Sequence, residues 1–286
     1  MWPSIRTDAP VRSSTGTRAT ALAAALLLAG CIEVPAGLLH SDRFAPSAGE
    51  CLYPGLNDFR ALPARFSLLS WNIYKQQGDW QAELARWAEE TELLLLQEAS
   101  GEPALYQWLS ERDLHWFQVA AFSWRERPNG VLTAAPGDVT QVCAQRVAEP
   151  ATRVPKSLLF SRYPLEGAAE QLLVVNLHAV NFSLRGRTYQ AQLDRIGKEV
   201  AEHGGPVIVA GDFNRWNARR NRMLNDWARA QGLTEAVPEP DVRTRFLGYA
   251  LDGIFYRGLE LEWVDSARSE ASDHGPLRAG FRMPGH

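Results

Sequence analysis

The chain lacks most of the features that would place it in a specialised class. It has three cysteines and six histidines in 286 residues, without the Cys/His spacing of a tetrahedral zinc site. The apolar run from Ala19 to Gly30 is too short to span a bilayer, which needs about 20 residues. No excess of positive charge is present: the formal net charge is -3 and the pI about 6.1. A chain-wide basic field of the kind that draws in nucleic acid is therefore excluded. There is no internal repeat of fixed period, which argues against a solenoid, and no low-complexity segment. What is present is an ordinary globular balance, 45% hydrophobic and 22% charged, with ten tryptophans. That composition suits one large domain or two small ones, with a well-packed core and some exposed aromatic surface.

The N-terminus reads as a targeting segment. Arg6, Arg12 and Arg18 precede the apolar run, in the order of a signal peptide. Leu28-Ala29-Gly30-Cys31 resembles the bacterial lipoprotein signal, in which the cysteine becomes the lipidated first residue after cleavage. Residues 1–30 are thus expected to be removed, and Cys31 to anchor an exported protein facing the periplasm. Ile32 stands where an aspartate would favour retention at the inner membrane, which tips the expectation toward the outer one. Residues 31–64 hold Pro35, Pro46, Pro54 and Pro63 with no clear period, and predict a tether. Phe44, Tyr53 and Phe59 could lay its second half on the domain. Export into an oxidising compartment lets Cys51 and Cys143 pair, or leaves them as buried thiols.

The domain is expected over residues 65–286. Val207-Ile208-Val209 is β-branched, follows Gly204-Gly205-Pro206, and predicts a strand covered on both faces. Arg65 to Ile73, Glu92 to Gln97 and Gln171 to Leu177 read as further strands. Asp79 is the expected N-cap of a helix with Trp80, Leu84 and Trp87 on one side. Pro103 starts a second helix. Tyr189, Leu193, Ile196 and Val200 define a third. Leu224, Trp227 and Ala228 define a fourth, ended by Gly232. Residues 115–163 read as short strands and turns. More strand than helix, with hairpin-like neighbours, predicts an α/β (α+β) fold with mixed sheets.

Five apolar strands end in a side chain that can bind a metal or move a proton: Asn72, Glu98, His178, Asp212 with Asn214, and Asp252. Ser272-Asp273-His274 precedes the last strand. Each has an ordinary account as a turn former, a helix cap or a core histidine, but strand ends on one edge of packed sheets converge. Oxygen ligands from Glu98, Asn72 and Asp273 would suit Mg²⁺, with Mn²⁺ as the substitute. Asp252 would hold His274 in one tautomer.

In order, Trp71-Asn72-Ile73, Gln97-Glu98, Asn176-Leu177-His178, Gly211-Asp212-Phe213-Asn214, Leu251-Asp252 and Ser272-Asp273-His274 resemble the endonuclease/exonuclease/phosphatase superfamily over about residues 65–283. The resemblance implies a four-layered sandwich: two mixed β-sheets face to face, flanked by helices. It implies Glu98 as metal ligand with Asn72 beside it and Asp273 near the pair or a second cation. Asp212 is implied to position the attacking water. Asn214 and Asn181 become phosphate-oxygen donors, and Asp252–His274 the pair that binds the phosphoryl group. His178 stands where exonuclease III-like members carry tyrosine, and is similar to the deoxyribonuclease and sphingomyelinase branches, where it can act as general acid.

The expected partner is a phosphate ester: nucleic acid, nucleotide or phospholipid headgroup. A membrane contact through Cys31 and a monomeric state complete the expectation. Arg215, Arg219, Arg220 and Arg222, with Arg125, Arg127, Arg243 and Arg245, could meet phosphates or form solvated faces. Trp124 and Trp216 could stack on bases or enter headgroups, whereas Trp71, within a strand, reads as core.

Overall fold

A run of alternating side chains explains the layers. Along Arg65–Asn72 (β4), Leu68 packs inward and Leu69 outward; along Leu93–Ser100 (β5), Leu93 and Leu95 pack inward and Leu94 and Leu96 outward. Leu172–His178 (β11) and Val207–Asp212 (β12) alternate in the same way, with Val174 and Ile208 inward and Val175 and Val209 outward. Strands apolar on both faces must be covered on both faces, so each sheet carries helices on its outer side. The computed structural model describes residues 32–55, 59–150, 152, 154–183 and 185–285.

The first sheet runs in the order Ile32–Glu33 (β1), Phe122–Trp124 (β7), Arg127–Ala135 (β8), β5, β4, Leu277–Arg282 (β18) and Glu260–Ser266 (β17). His115–Val119 (β6) pairs with β8 and with Leu39–Ser41 (β2). The second sheet runs Thr234–Glu235 (β13), Asp252–Arg257 (β16), β12, β11, Lys156–Tyr163 (β10), Gln141–Val147 (β9) and Cys51–Leu52 (β3). Arg245–Phe246 (β14) and Tyr249–Ala250 (β15) form a separate hairpin. Both sheets are mixed, parallel at β4–β5 and β11–β12 and otherwise antiparallel.

Trp80–Trp87 (α1) and Pro103–Ser110 (α2) pack Leu84, Leu105 and Leu109 on the outer face of the first sheet. Arg187–Glu202 (α3) and Ala218–Ala230 (α4) pack Tyr189, Leu193, Leu224 and Trp227 on the second. This is the four-layered sandwich. Asp79 caps α1 by accepting from Ala82 N–H, and Pro103 opens α2, as their positions dictate.

The stretch expected to be a tether is, where described, part of both sheets. Leu39 pairs with Val119, and Leu38, Leu39 and Leu62 are core residues. The prolines end these short strands without preventing them, and apolar residues between them supply the burial that a tether would lack. Cys51 pairs with Cys143 in register and is bonded to it. The expected signal peptide and lipid-bearing Cys31 lie outside the described residues.

Candidate active site

Three functional side chains stand in one row of the second sheet. His178 is the register partner of Asp212, and Asp212 that of Asp252. The parallel strands β11 and β12 both end at this edge. Antiparallel β16 starts there, so Asp252 opens its strand rather than ending one. Gly211 makes the row possible: its φ is 142°, and a Cβ there would lie 2.0 Å from Leu177 O. Asn214 has φ 47° and turns back on the row. Its N–H donates to Asp212 Oδ1 at 2.9 Å and its Nδ2 to Ala179 O at 3.0 Å.

The first sheet completes the cluster from across the core. Asn72, the last residue of β4, donates from Nδ2 to Asp212 Oδ2 at 3.3 Å, while its Oδ1 accepts from Tyr74 N–H at 3.1 Å. Glu98 lies within β5 at a register shift, with φ 51°, so a bulge rather than a strand end aims it. Its carboxylate pairs with Lys75 and lies 3.9 Å from both Lys156 Nζ and His178 Nε2. Below, Asn176 ties the sheets together, accepting from Gln97 Nε2 at 2.8 Å and donating to Leu132 O at 2.8 Å.

Asp212 is flanked by two imidazoles: Oδ2 is 3.3 Å from His178 Nε2 and 3.9 Å from His274 Nε2. Burial and the ammonium of Lys156, whose Nζ is 2.8 Å from Nε2, push His178 down to about 4, so it is neutral at pH 7. Burial acts against the charge of His274 as well. The carboxylates of Asp252, 2.8 Å from Nδ1, and Asp212 outweigh it and raise His274 to about 10. Burial opposes ionisation of Glu98, but His178 when protonated, Lys156 and Lys75 hold its carboxyl down at about 2. Lys156 is itself lowered by burial. One carboxylate thus lies between a neutral and a charged histidine.

The remaining expected residues are placed differently. Asp273 is exposed, and its backbone oxygen accepts from Thr244 Oγ1. Asn181 borders the site, its N–H donating to Glu149 at 2.5 Å. Among the described residues, the groups close enough to share a metal ion are Asp212, Asp252 and His274, whose ligand atoms lie within 4.8 Å of one another. Asp252 Oδ1 is buried without a hydrogen-bond partner among the described residues. The basic run splits. Arg219 and Arg222 are exposed, but Arg220 is buried and donates to Val180 O, Asn214 O and Asn181 O. Arg215 and Arg243 are buried against Glu235 and the Asp252 carbonyl. These three hold the loops of the site instead of facing solvent. Trp71 is buried and donates to His274 O at 2.9 Å.

Sequence reasoning missed Lys75, Glu149 and Lys156. Lys156 opens β10, whose register puts Leu158 opposite Leu177 and hence the lysine beside His178. A cation at the head of a buried apolar strand was the available signal.

The family model described as Endonuclease/Exonuclease/phosphatase family matches residues 69–274, which span every side chain in this cluster. The chain belongs to that family. It is 42% identical over 222 residues to a UPF0294 protein of Vibrio vulnificus strain YJ016, covering 77% of this chain and 78% of that one. It is 42% identical over 224 residues to a UPF0294 protein of Vibrio cholerae, covering 78% and 79%. Among solved structures, an endonuclease/exonuclease/phosphatase from Beutenbergia cavernae superposes with TM-score 0.61 at 16% identity, covering 77% of this chain and 72% of that one. The human Nocturnin catalytic domain with bound sulfate gives TM-score 0.59 at 18% identity, covering 78% and 96%. These last two similarities establish the shared fold.

Proposed function

We propose that the chain is a divalent-metal-dependent phosphoesterase that hydrolyses a phosphodiester by in-line attack of a water positioned by Asp212. The observation that carries this reading is Asp212 Oδ2 lying between a neutral and a protonated histidine, within hydrogen-bonding reach of the Asn72 and Asn214 amides. The amides fix the carboxylate, which orients the water and takes its proton. His274, held through Nδ1 by Asp252, offers Nε2 to a phosphoryl oxygen. Neutral His178 accepts from Lys156 at Nε2 and so has no proton to give there; the Lys156 ammonium that it holds gives the leaving oxygen its proton. Asn181 supplies an amide donor to the phosphate, whereas Asn214, expected to do the same, has its Nδ2 taken up by Ala179 O and Asp212 Oδ2 and holds the carboxylate instead.

The donor set fits a hard cation such as Mg²⁺ or Mn²⁺: two buried carboxylates, one with an unpartnered oxygen. Asp212 and Asp252 Oδ1 would hold it, with Glu98 joining when Lys75 is displaced. Asn72, its oxygen engaged by Tyr74, and exposed Asp273 suit the role less well. Bound there, the ion supplies charge stabilisation to the phosphoryl and leaving oxygens.

A second reading, a phospholipid-headgroup phosphodiesterase or phosphatase at the membrane, is favoured by one observation. Ile32, which follows the proposed lipidation site Cys31 in sequence, lines the cavity next to the cluster. In both readings the protein is an exported monomer anchored facing the periplasm, with the outer membrane preferred. Intact Asp212 and Asp252–His274 argue against a non-catalytic binding module.

The test is hydrolysis of bis(p-nitrophenyl) phosphate with Mn²⁺ or with EDTA. Asp212→Asn and His274→Gln are each expected to lose on the order of 10²–10⁴ in rate while still giving a single cooperative melt, which shows that the loss is not unfolding. Full turnover by both variants ends the proposal.

A further inference from the structure

One cavity of about 480 Å³ shares its wall with the reacting cluster. That is the size of a small-ligand pocket. Its inner end is polar and formed by Lys75, Glu98, Lys156, His178 and Asn181. Its outer part is lined by Phe122, Trp124, Val154, Pro155 and Phe182. A molecule that fills it needs a charged end and a flat apolar end.

The apolar part also has a hydrogen-bond acceptor to satisfy. Asn129 is a lining residue, 2% exposed, and its Nδ2 is spent on Arg127 O at 2.9 Å. Its Oδ1 has no partner among the described residues. Glu149, also in the wall, is buried and accepts from Asn181 and Phe182 N–H. One open acceptor beside aromatic rings calls for an N–H group on a ring, since both Glu149 oxygens already accept backbone N–H groups. A lipid chain offers no such donor. A quaternary ammonium offers none either, and would face Lys75 and Lys156.

We propose that this cavity is a nucleobase subsite. It takes an amino-bearing base stacked among Phe122, Trp124 and Phe182, with the base's own nucleotide phosphate at the Lys156–His178 end. This deepens and rests on the phosphoesterase reading by naming its substrate class. Stacking accepts any base face, while the Asn129 acceptor favours bases with an amino donor.

The test is calorimetric titration of the full-length protein in EDTA, which removes metal-dependent turnover. The probes are adenosine 5′-monophosphate, purine riboside 5′-monophosphate lacking the amino group, ribose 5-phosphate and phosphocholine. Adenosine monophosphate is expected to bind at least roughly tenfold tighter than ribose 5-phosphate, with the amino-less analogue between them. Trp124→Ala should remove most of that advantage. Equal affinity for the first and third probes overturns the subsite. Preferential binding of phosphocholine, or of phosphatidylcholine vesicles, overturns it in favour of a headgroup. Bis(p-nitrophenyl) phosphate hydrolysis with Mn²⁺ is measured separately. Hydrolysis without a base preference sinks only the subsite, whereas a base preference without hydrolysis sinks only the enzyme reading.

Discussion

His274 Nδ1 lies 2.8 Å from Asp252 Oδ2, joining a loop before the last strand to the first residue of β16. The pair keeps the imidazole protonated. Its raised value means the stabilisation is fully present below pH 6.5 and is lost as pH rises through about 10. In the metal-free wild type, NMR titration of the ring should show His274 charged through pH 8. In Asp252→Asn the ring should titrate at lower pH, and hydrolysis should fall by on the order of 10²-fold. Unchanged titration would rule out Asp252 as the cause.

Arg220 joins the two loops beside the row. Its guanidinium meets Val180 O and Asn214 O at 2.7 and 2.9 Å and stacks 4.6 Å from the Tyr189 ring. Arg220→Met keeps the packing volume and strands buried carbonyls. Urea unfolding should show a loss of about 3 kcal/mol, the scale of losing charged hydrogen bonds. A loss under roughly 0.5 kcal/mol, the range of an ordinary surface change, would contradict this role.

Glu235 accepts from Arg215 and Arg243, which are side by side against the same carboxylate. Burial opposes its ionisation, but both guanidiniums hold it below the ordinary value of 4.5. The stability from this group is therefore present above pH 4.5 and is lost as pH falls through the lower folded value. Glu235→Gln should lower stability at pH 7 by roughly 3 kcal/mol and flatten its dependence on pH in the acid range. Chemical denaturation at a series of pH values reads both effects.

The Cys51–Cys143 bond closes a loop with a sequence separation of 92. By chain entropy it contributes about 4–5 kcal/mol. Melting with and without reductant should show that loss, and Cys51→Ser with Cys143→Ser should reproduce the reduced value. Removal of residues 32–59 should be worse, because β2 and β3 leave with it.

Lys75 competes for Glu98. Lys75→Ala should tighten Mn²⁺ binding by roughly tenfold, the effect of removing about 1.4 kcal/mol of competing ion pairing. Unchanged binding in calorimetry would place the cation away from Glu98.

Much of the fold was readable because its signals are local. Double-sided apolar runs, an Asp79 cap, Pro103 at a helix start and helical spacing of Tyr189 to Val200 each act within a few residues. The motif order gave the family and the residues of the row. Residues 115–163 were less clear, since β9 alternates buried and half-buried positions without a strong apolar run. The short strands before residue 60 were hidden by prolines, because their burial comes from distant partners.

The sequence by itself determined that Asn72, His178 and Asp212 stand at strand ends, since a strand's polar stop depends on the residues that make it. Only the tertiary structure decided what those side chains meet. Register put Asp252 beside Asp212, a bulge turned Glu98 toward two lysines, and burial set opposite charge states on His178 and His274. Charge state and hydrogen-bond partners depend on distances across the core, and those exist only once the two sheets have packed.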